Sequence, residues 1–260
     1  MSKFVRSLMI AAAVASLTPT LAAANAPSPA RPAIILVHGA FADSSSWNAV
    51  TAKLQRDGYR VIAAANPVRG VAGDAAALRR LAGSVTGPVV LVGHSYGGPV
   101  ITEAANGAPN VKSLVYVAGF LPDTGESSLS LSAKFPGSTL GSALSEVVLP
   151  DGDADLYIRP EAFPKQFAAD VDAMQAAAMA IAQRPVTHSA LAEPTVTPAW
   201  KMLPSYVIYG SADRNIPPTV MKFMAERARA RHTVVIEGAS HALMISHPDE
   251  VAAIIEEAAR

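Results

Sequence analysis

The chain of 260 residues contains no cysteine, which excludes disulfides, thiol nucleophiles and thiolate metal sites together. It has no excess of either charge, since 21 Lys and Arg balance 21 Asp and Glu. Without a basic stripe, neither nucleic acid nor an anionic membrane surface is an expected partner. Charged residues are scarce at 16% while apolar residues reach 50%, the balance of an ordered globular chain long enough for one domain with a sizeable core. No G-x-G-x-x-G follows a strand and no G-x-x-x-x-G-K-[ST] is present, so nucleotide binding has no support. DGDAD at 151–155 opens like a calcium loop but continues with Leu156 where the loop needs glycine and Ala162 where it needs glutamate. It reads as a solvated acidic turn. The histidines lack metal-ligand spacing. No cofactor and no metal are expected.

The N-terminus has the three-part layout of a secretory signal. Lys3 and Arg6 precede the apolar stretch LMIAAAVASL, and small residues follow in LAAANA. The apolar run is too short to span a bilayer comfortably. Cleavage after Ala24 is favoured over Ala26, because the latter would leave Pro27 first. Residues 1–24 are thus read as a signal peptide and 25–31 as a Pro-containing tether. The mature protein is expected in the periplasm or outside the cell, with no stable membrane insertion.

Six runs, AIILVHG (33–39), YRVIAAANP (59–67), PVVLVGHS (88–95), VKSLVYVAG (111–119), SYVIYGS (205–211) and HTVVIEGAS (232–240), are continuously apolar and rich in β-branched residues. Such runs suit strands buried on both faces of a parallel sheet. Helical segments lie between most of them: SSSWNAVTAKLQRDG with a serine cap, DAAALRRLAGSV behind Asp74 as its cap, YGGPVITEAANG, PPTVMKFMAERARA, and HPDEVAAIIEEAA, which His247 is expected to cap. The alternation predicts an α/β domain over 32–120 and 204–260. Residues 121–203 interrupt it, with helical stretches such as PEAFPKQFAADVDAMQAAAMAIAQRP. A connection of that length is usually functional, and it is read as a helical lid over the carboxyl edge of the sheet. Met174 and Met179 are read as ordinary helix packing. Phe135, Tyr157, Phe163, Phe167 and Trp200 could wall a pocket there or simply fill a core.

Gly93, Ser95 and Gly97 fit G-x-S-x-G between a strand and a helix. The serine must take a strained conformation on that turn, and neighbours without Cβ let strand and helix pass closely. A serine nucleophile needs a base, and the base an orienting acid. Of the histidines after Ser95, His188 lies in the insertion, His232 starts a strand at the wrong edge and His247 precedes Pro248. His241, between a strand and the last helix, is the candidate base. Asp213 follows a strand at the same edge and is the candidate acid, with Asp123 as its rival. The oxyanion donors are expected to be the backbone N–H groups of Tyr96, next to the nucleophile, and Ala40, in the loop after the first strand. Phe41 and His94 are the candidate pocket residues, and His38 is read as bonding the loop.

ILVHGAF, LVGHSYGG, YGSADRNIPP and EGASHALMISHP together resemble the α/β-hydrolase superfamily, in order and spacing over nearly the whole mature chain. The opening HG-A-F-x-x-x-x-x-W resembles the branch holding plant methylesterases, hydroxynitrile lyases and small bacterial esterases. The resemblance implies an α/β-hydrolase fold, a mostly parallel sheet flanked by helices. It also implies a cofactor-free hydrolase with nucleophile Ser95, acid Asp213, base His241 and the amides of Ala40 and Tyr96. Serine at the elbow departs from the aspartate of haloalkane dehalogenases and epoxide hydrolases. The expected activity is cleavage of a small, uncharged carboxylic ester. A lactonase, amidase, C–C hydrolase, perhydrolase or lyase on the same residues stays open, as does a slow-turnover receptor.

Overall fold

A computed structural model describes residues 31–260; the signal read over 1–24 lies outside the described residues, as does all of the tether except Arg31. In chain order the strands are β1 Ala33–Val37, β2 Val61–Ala64, β3 Val89–His94, β4 Val111–Val117, β5 Leu144–Val148, β6 Ala154–Ile158, β7 Val186–Thr187, β8 Ser205–Gly210 and β9 His232–Ile236. Six of them form one sheet in the order β2-β1-β3-β4-β8-β9, and every neighbouring pair is parallel.

Alternate side chains of each central strand feed two different cores. Ile35, Val37, Leu91, Leu114, Tyr116 and Val207 point to one face, which the helices Val71–Gly83, Gly97–Ala104 and Pro218–Ala228 cover. Ile34, Leu36, Val90, Val92, Val115 and Ile208 point to the other. There they meet Trp47, Val50 and Leu54 beside the helix Asn48–Arg56 and Val251, Ile254 and Ile255 of Pro248–Ala258. This explains runs that are apolar without alternation, each fully buried aliphatic side chain contributing about 1.5–3 kcal/mol. The edge strands depart from the expectation: β2 and β9 are half-exposed along much of their length, because each has a neighbour on one side alone.

Three helix starts differ from the sequence reading. Asp43, not a serine, caps the first helical segment by accepting from Ser45 N at 2.6 Å. The cap position of the helix Val71–Gly83 is Gly70, so Asp74 lies inside its first turn and is buried. Its leading amides, Val71 N and Ala72 N, donate to the Glu193 carboxylate at 2.5 and 3.1 Å, a carboxylate on the positive end of the helix dipole. His247 occupies the cap position of the last helix, but its side chain makes no capping bond.

The insertion, residues 121–203, is not purely helical. It carries the antiparallel sheet β5-β6-β7 together with the helices Phe163–Phe167 and Ala173–Ala182, two elements where the sequence suggested one stretch. It is bonded to the core loops at Phe41 N→Arg184 O (2.9 Å) and by an ion pair between Arg69 and Asp155.

Candidate active site

The turn between β3 and Gly97–Ala104 holds Ser95 at φ +52°, the left-handed region that costs a non-glycine residue roughly 1–3 kcal/mol. Packing leaves the chain no other course. A Cβ on Gly98 would lie 2.1 Å from Phe120 O, and one on Gly39 would lie 2.6 Å from Ser95 Cβ. The serine is thereby held at the carboxyl end of a central strand, backed by the β1 loop on one side and the β4 loop on the other.

Asp213 and His241 leave the ends of β8 and β9 and meet. His241 Nδ1–H donates to Asp213 Oδ2 at 2.7 Å, with both side chains out of water. Asp213 Oδ1 accepts from Asn215 N and Ile216 N at 2.8 and 3.0 Å, so the carboxylate is fixed by three donors. With its proton on Nδ1, the ring offers Nε2 as a base, and that atom has no hydrogen-bond partner among the described residues. The ring is packed between His94 and Phe167, centroids 4.7 and 4.9 Å away. Asp123, the rival acid, is instead paired with Lys201 at the surface.

His94 does not reach the cavity in front of Ser95, contrary to the expectation that it lines a pocket. It is fully buried, and its Nε2–H donates to the His241 carbonyl at 3.1 Å. Burial, with His241 close by, holds its pKa well below the usual histidine value, so the ring is neutral. It links the chain neighbour of Ser95 to the loop that carries His241. His38 bonds its own loop, with Nδ1 to Gly39 O at 2.9 Å and Nε2 accepting from Asn66 N at 3.0 Å.

Ala40, Phe41, Ser95 and Tyr96 line one cavity of about 280 Å³. The amides of Ala40 and Tyr96 make no hydrogen bond among the described residues, while Phe41 N is committed to Arg184 O. The Tyr96 phenol is turned toward the core, donating to Asp74 at 3.0 Å. Burial pushes the pKa of both that phenol and that carboxyl up. Of the insertion aromatics, Phe163 and Phe167 stack on each other at 4.9 Å and support His241 rather than walling this cavity. Trp200 donates to Pro122 O at 2.8 Å. Met174 is exposed rather than packed.

The model of the alpha/beta hydrolase family matches residues 34–254. The chain belongs to that family. Among relatives of this alpha/beta hydrolase, a carbendazim hydrolyzing esterase of Nocardioides sp. (strain SG-4G) is 35% identical over 113 residues, 38% of this chain and 47% of the relative. The match therefore spans about half of that relative's length. The alpha/beta hydrolase nvfD of Aspergillus novofumigatus (strain IBT 16806) is 26% identical over 88% of this chain and 97% of its own. In three dimensions polyneuridine aldehyde esterase superposes with a TM-score of 0.77 at 19% identity, over 88% of this chain and 99% of that one, which is a likeness of fold. Among the described residues of the alpha/beta hydrolase, no three His, Asp or Glu side chains group to hold a metal ion.

Sequence reasoning missed the far wall of the cavity. Ser128, Leu140, Glu146, Leu156, His188 and Asn215 line it. His188 was set aside for lying in the insertion, yet the insertion supplies most of this wall. The sheet that carries Glu146 and Leu156 had a signal: L-P-D-G at 149–152 separates LSEVV from ADLYI, a turn flanked by two strand-like runs.

Proposed function

We propose that the protein is a carboxylic ester hydrolase working through an acyl-enzyme on Ser95. The observation that carries this is the 2.7 Å bond from His241 to Asp213, which leaves Nε2 free on a loop packed against the neighbour of a strained serine. His241 Nε2 takes the Ser95 proton as Oγ attacks the ester carbonyl. The oxyanion forms against the free amides of Ala40 and Tyr96, each donor worth about 2.7–4 kcal/mol in such a transition state. Collapse releases the alcohol, protonated by His241. Water, deprotonated by the same ring, then cleaves the acyl-enzyme and frees the acid. Asp213 fixes the tautomer throughout. No step calls for a cofactor.

Two of the similar proteins are named esterases, which supports the reaction class. The cavity is walled chiefly by apolar side chains, which suits a small uncharged substrate. Residues 121–203 are proposed as its cover, since they form most of that wall. Steady turnover of p-nitrophenyl esters of graded acyl length, lost in Ser95→Ala, is the expected result. Turnover that survives the substitution, or none in the unmodified protein, would sink the reading.

A further inference from the structure

We propose that Asn215 is a substrate-recognition residue, whose side-chain amide donates to a second oxygen of the substrate, a carbonyl or ether oxygen away from the reacting ester. The inference rests on the reading of the Ser95 cavity as the substrate site.

The hydrogen bonds settle which way this amide points. Gln166 Nε2 lies 3.0 Å from Arg214 O, and a peptide carbonyl can do nothing but accept, so the nitrogen of Gln166 is on that side. The same nitrogen donates at 2.8 Å to Asn215, so the atom of Asn215 facing it must be Oδ1. Gln166 Oε1 in turn accepts from Thr139 Oγ1 at 2.8 Å. Ser138 Oγ donates to the Asn215 backbone carbonyl at 2.9 Å. Every orientation in the chain is then determined, and the one group left over is Asn215 Nδ2, with two N–H donors and no partner among the described residues.

That leftover donor belongs to a residue just 3% exposed that lines the cavity with Ser95. Phe120, Leu140 and Ile216 line the same cavity, together with the polar Ser132 and Ser138. A second polar atom is unsatisfied on the same cavity: Ser128 Oγ is buried without a partner. Natural proteins seldom leave buried polar atoms unpaired, because each costs stability. Asn215 Nδ2 differs in being open to the cavity, and the network through Gln166 and Thr139 that fixes its orientation leaves both of its N–H donors for a ligand. A site built to hydrogen-bond a substrate oxygen rejects the analogue lacking it far more strongly than an apolar pocket rejects a missing methylene. Asn215 also lies two residues after Asp213 and lends it a backbone N–H, so the recognition point and the triad acid move as one body.

The test uses uncleavable probes, so it does not depend on turnover. Octan-2-one and the octanediones with the second carbonyl at each position from C4 to C7 are titrated by ligand-observed NMR into the unmodified protein, Asn215→Asp and Asn215→Ala. Asn215→Asp keeps the oxygen that Gln166 needs and removes the N–H donors. The expected result is one dione that binds the unmodified protein about tenfold more tightly than octan-2-one, the worth of one well-made buried hydrogen bond. In both variants that ratio falls to within about twofold. No dione preference in the unmodified protein, or a preference that survives in both variants, overturns the proposal. The esterase reading stands or falls separately, on Ser95→Ala and ester turnover.

Discussion

Replacing Asp213 with asparagine tests the arrangement most sharply, because the structure dictates how the new amide must sit. Two of the three donors around the carboxylate are the backbone N–H groups of Asn215 and Ile216. They cannot accept, so the asparagine oxygen has to face them. The NH2 is then turned toward His241 Nδ1, which must give up its proton and become an acceptor. The imidazole is left with its proton on Nε2, where a base for Ser95 needs a lone pair. Such a tautomer trap costs about ten-thousandfold in kcat, or about 5.5 kcal/mol of transition-state stabilisation. The backbone bonds survive the exchange, so stability should fall by no more than about 2 kcal/mol. The assay is steady-state hydrolysis of the best p-nitrophenyl ester, with thermal unfolding of the same sample. Asp123→Asn is the control: its carboxylate pairs with Lys201 at the surface, where such pairs are worth little, and kcat should change less than about twofold. An Asp213→Asn protein that folds and keeps a tenth or more of its kcat would refute the reasoning.

Other outcomes follow from the same contacts. Ser95→Gly should abolish turnover yet raise stability by about 1 kcal/mol, since glycine takes φ +52° without strain; a lower melting temperature would count against stored strain at the elbow. Gly98→Ala, whose Cβ would meet Phe120 O at 2.1 Å, should cost about 3 kcal/mol or prevent folding, read by denaturant unfolding. Glu193→Ala uncovers two amides of the helix Val71–Gly83 and should cost about 1 kcal/mol. Burial depresses the pKa of both His38 and His94. Below about pH 6.5 the unfolded chain therefore binds protons that the folded one does not, and stability should fall as pH drops, by up to about 1.4 kcal/mol per unit for each ring. His94→Gln should flatten that slope in urea titrations. The signal reading predicts that mass analysis of the protein expressed from its full chain in a secreting host will find a product beginning at Asn25.

How much of this was legible in the sequence depends on how local each signal was. The β3 elbow could be read because its cause is local: an apolar run, then small residues that a tight turn requires. Asp213 and His241 were legible from their place just after strands, although the bond between them is tertiary. Asp74 was misread as a helix cap because capping and buried pairing with a phenol use the same residue type, and Tyr96 lies 22 positions away. His94 beside the serine looked like a pocket residue, but successive residues leaving a strand point to opposite sides. The cavity wall was least legible, since Asn215, Ser128 and His188 come together through the insertion and no periodicity records it.

The parallel sheet also makes the strand pairings unequal in the chain they must close. No two neighbouring strands of the large sheet can be joined by a hairpin, so each pairing must close a long loop. Residues 118–204 separate β4 from β8, against 211–231 between β8 and β9, roughly a fourfold difference that adds about 1.2 kcal/mol of closure entropy. The serine thus belongs to the half of the sheet built from nearer contacts, and the acid and base to a half that joins across the slowest closure. On the proposed mechanism, a chain that has formed only its elbow would still lack Asp213 and His241, and turnover would wait for β8 and β9 to dock.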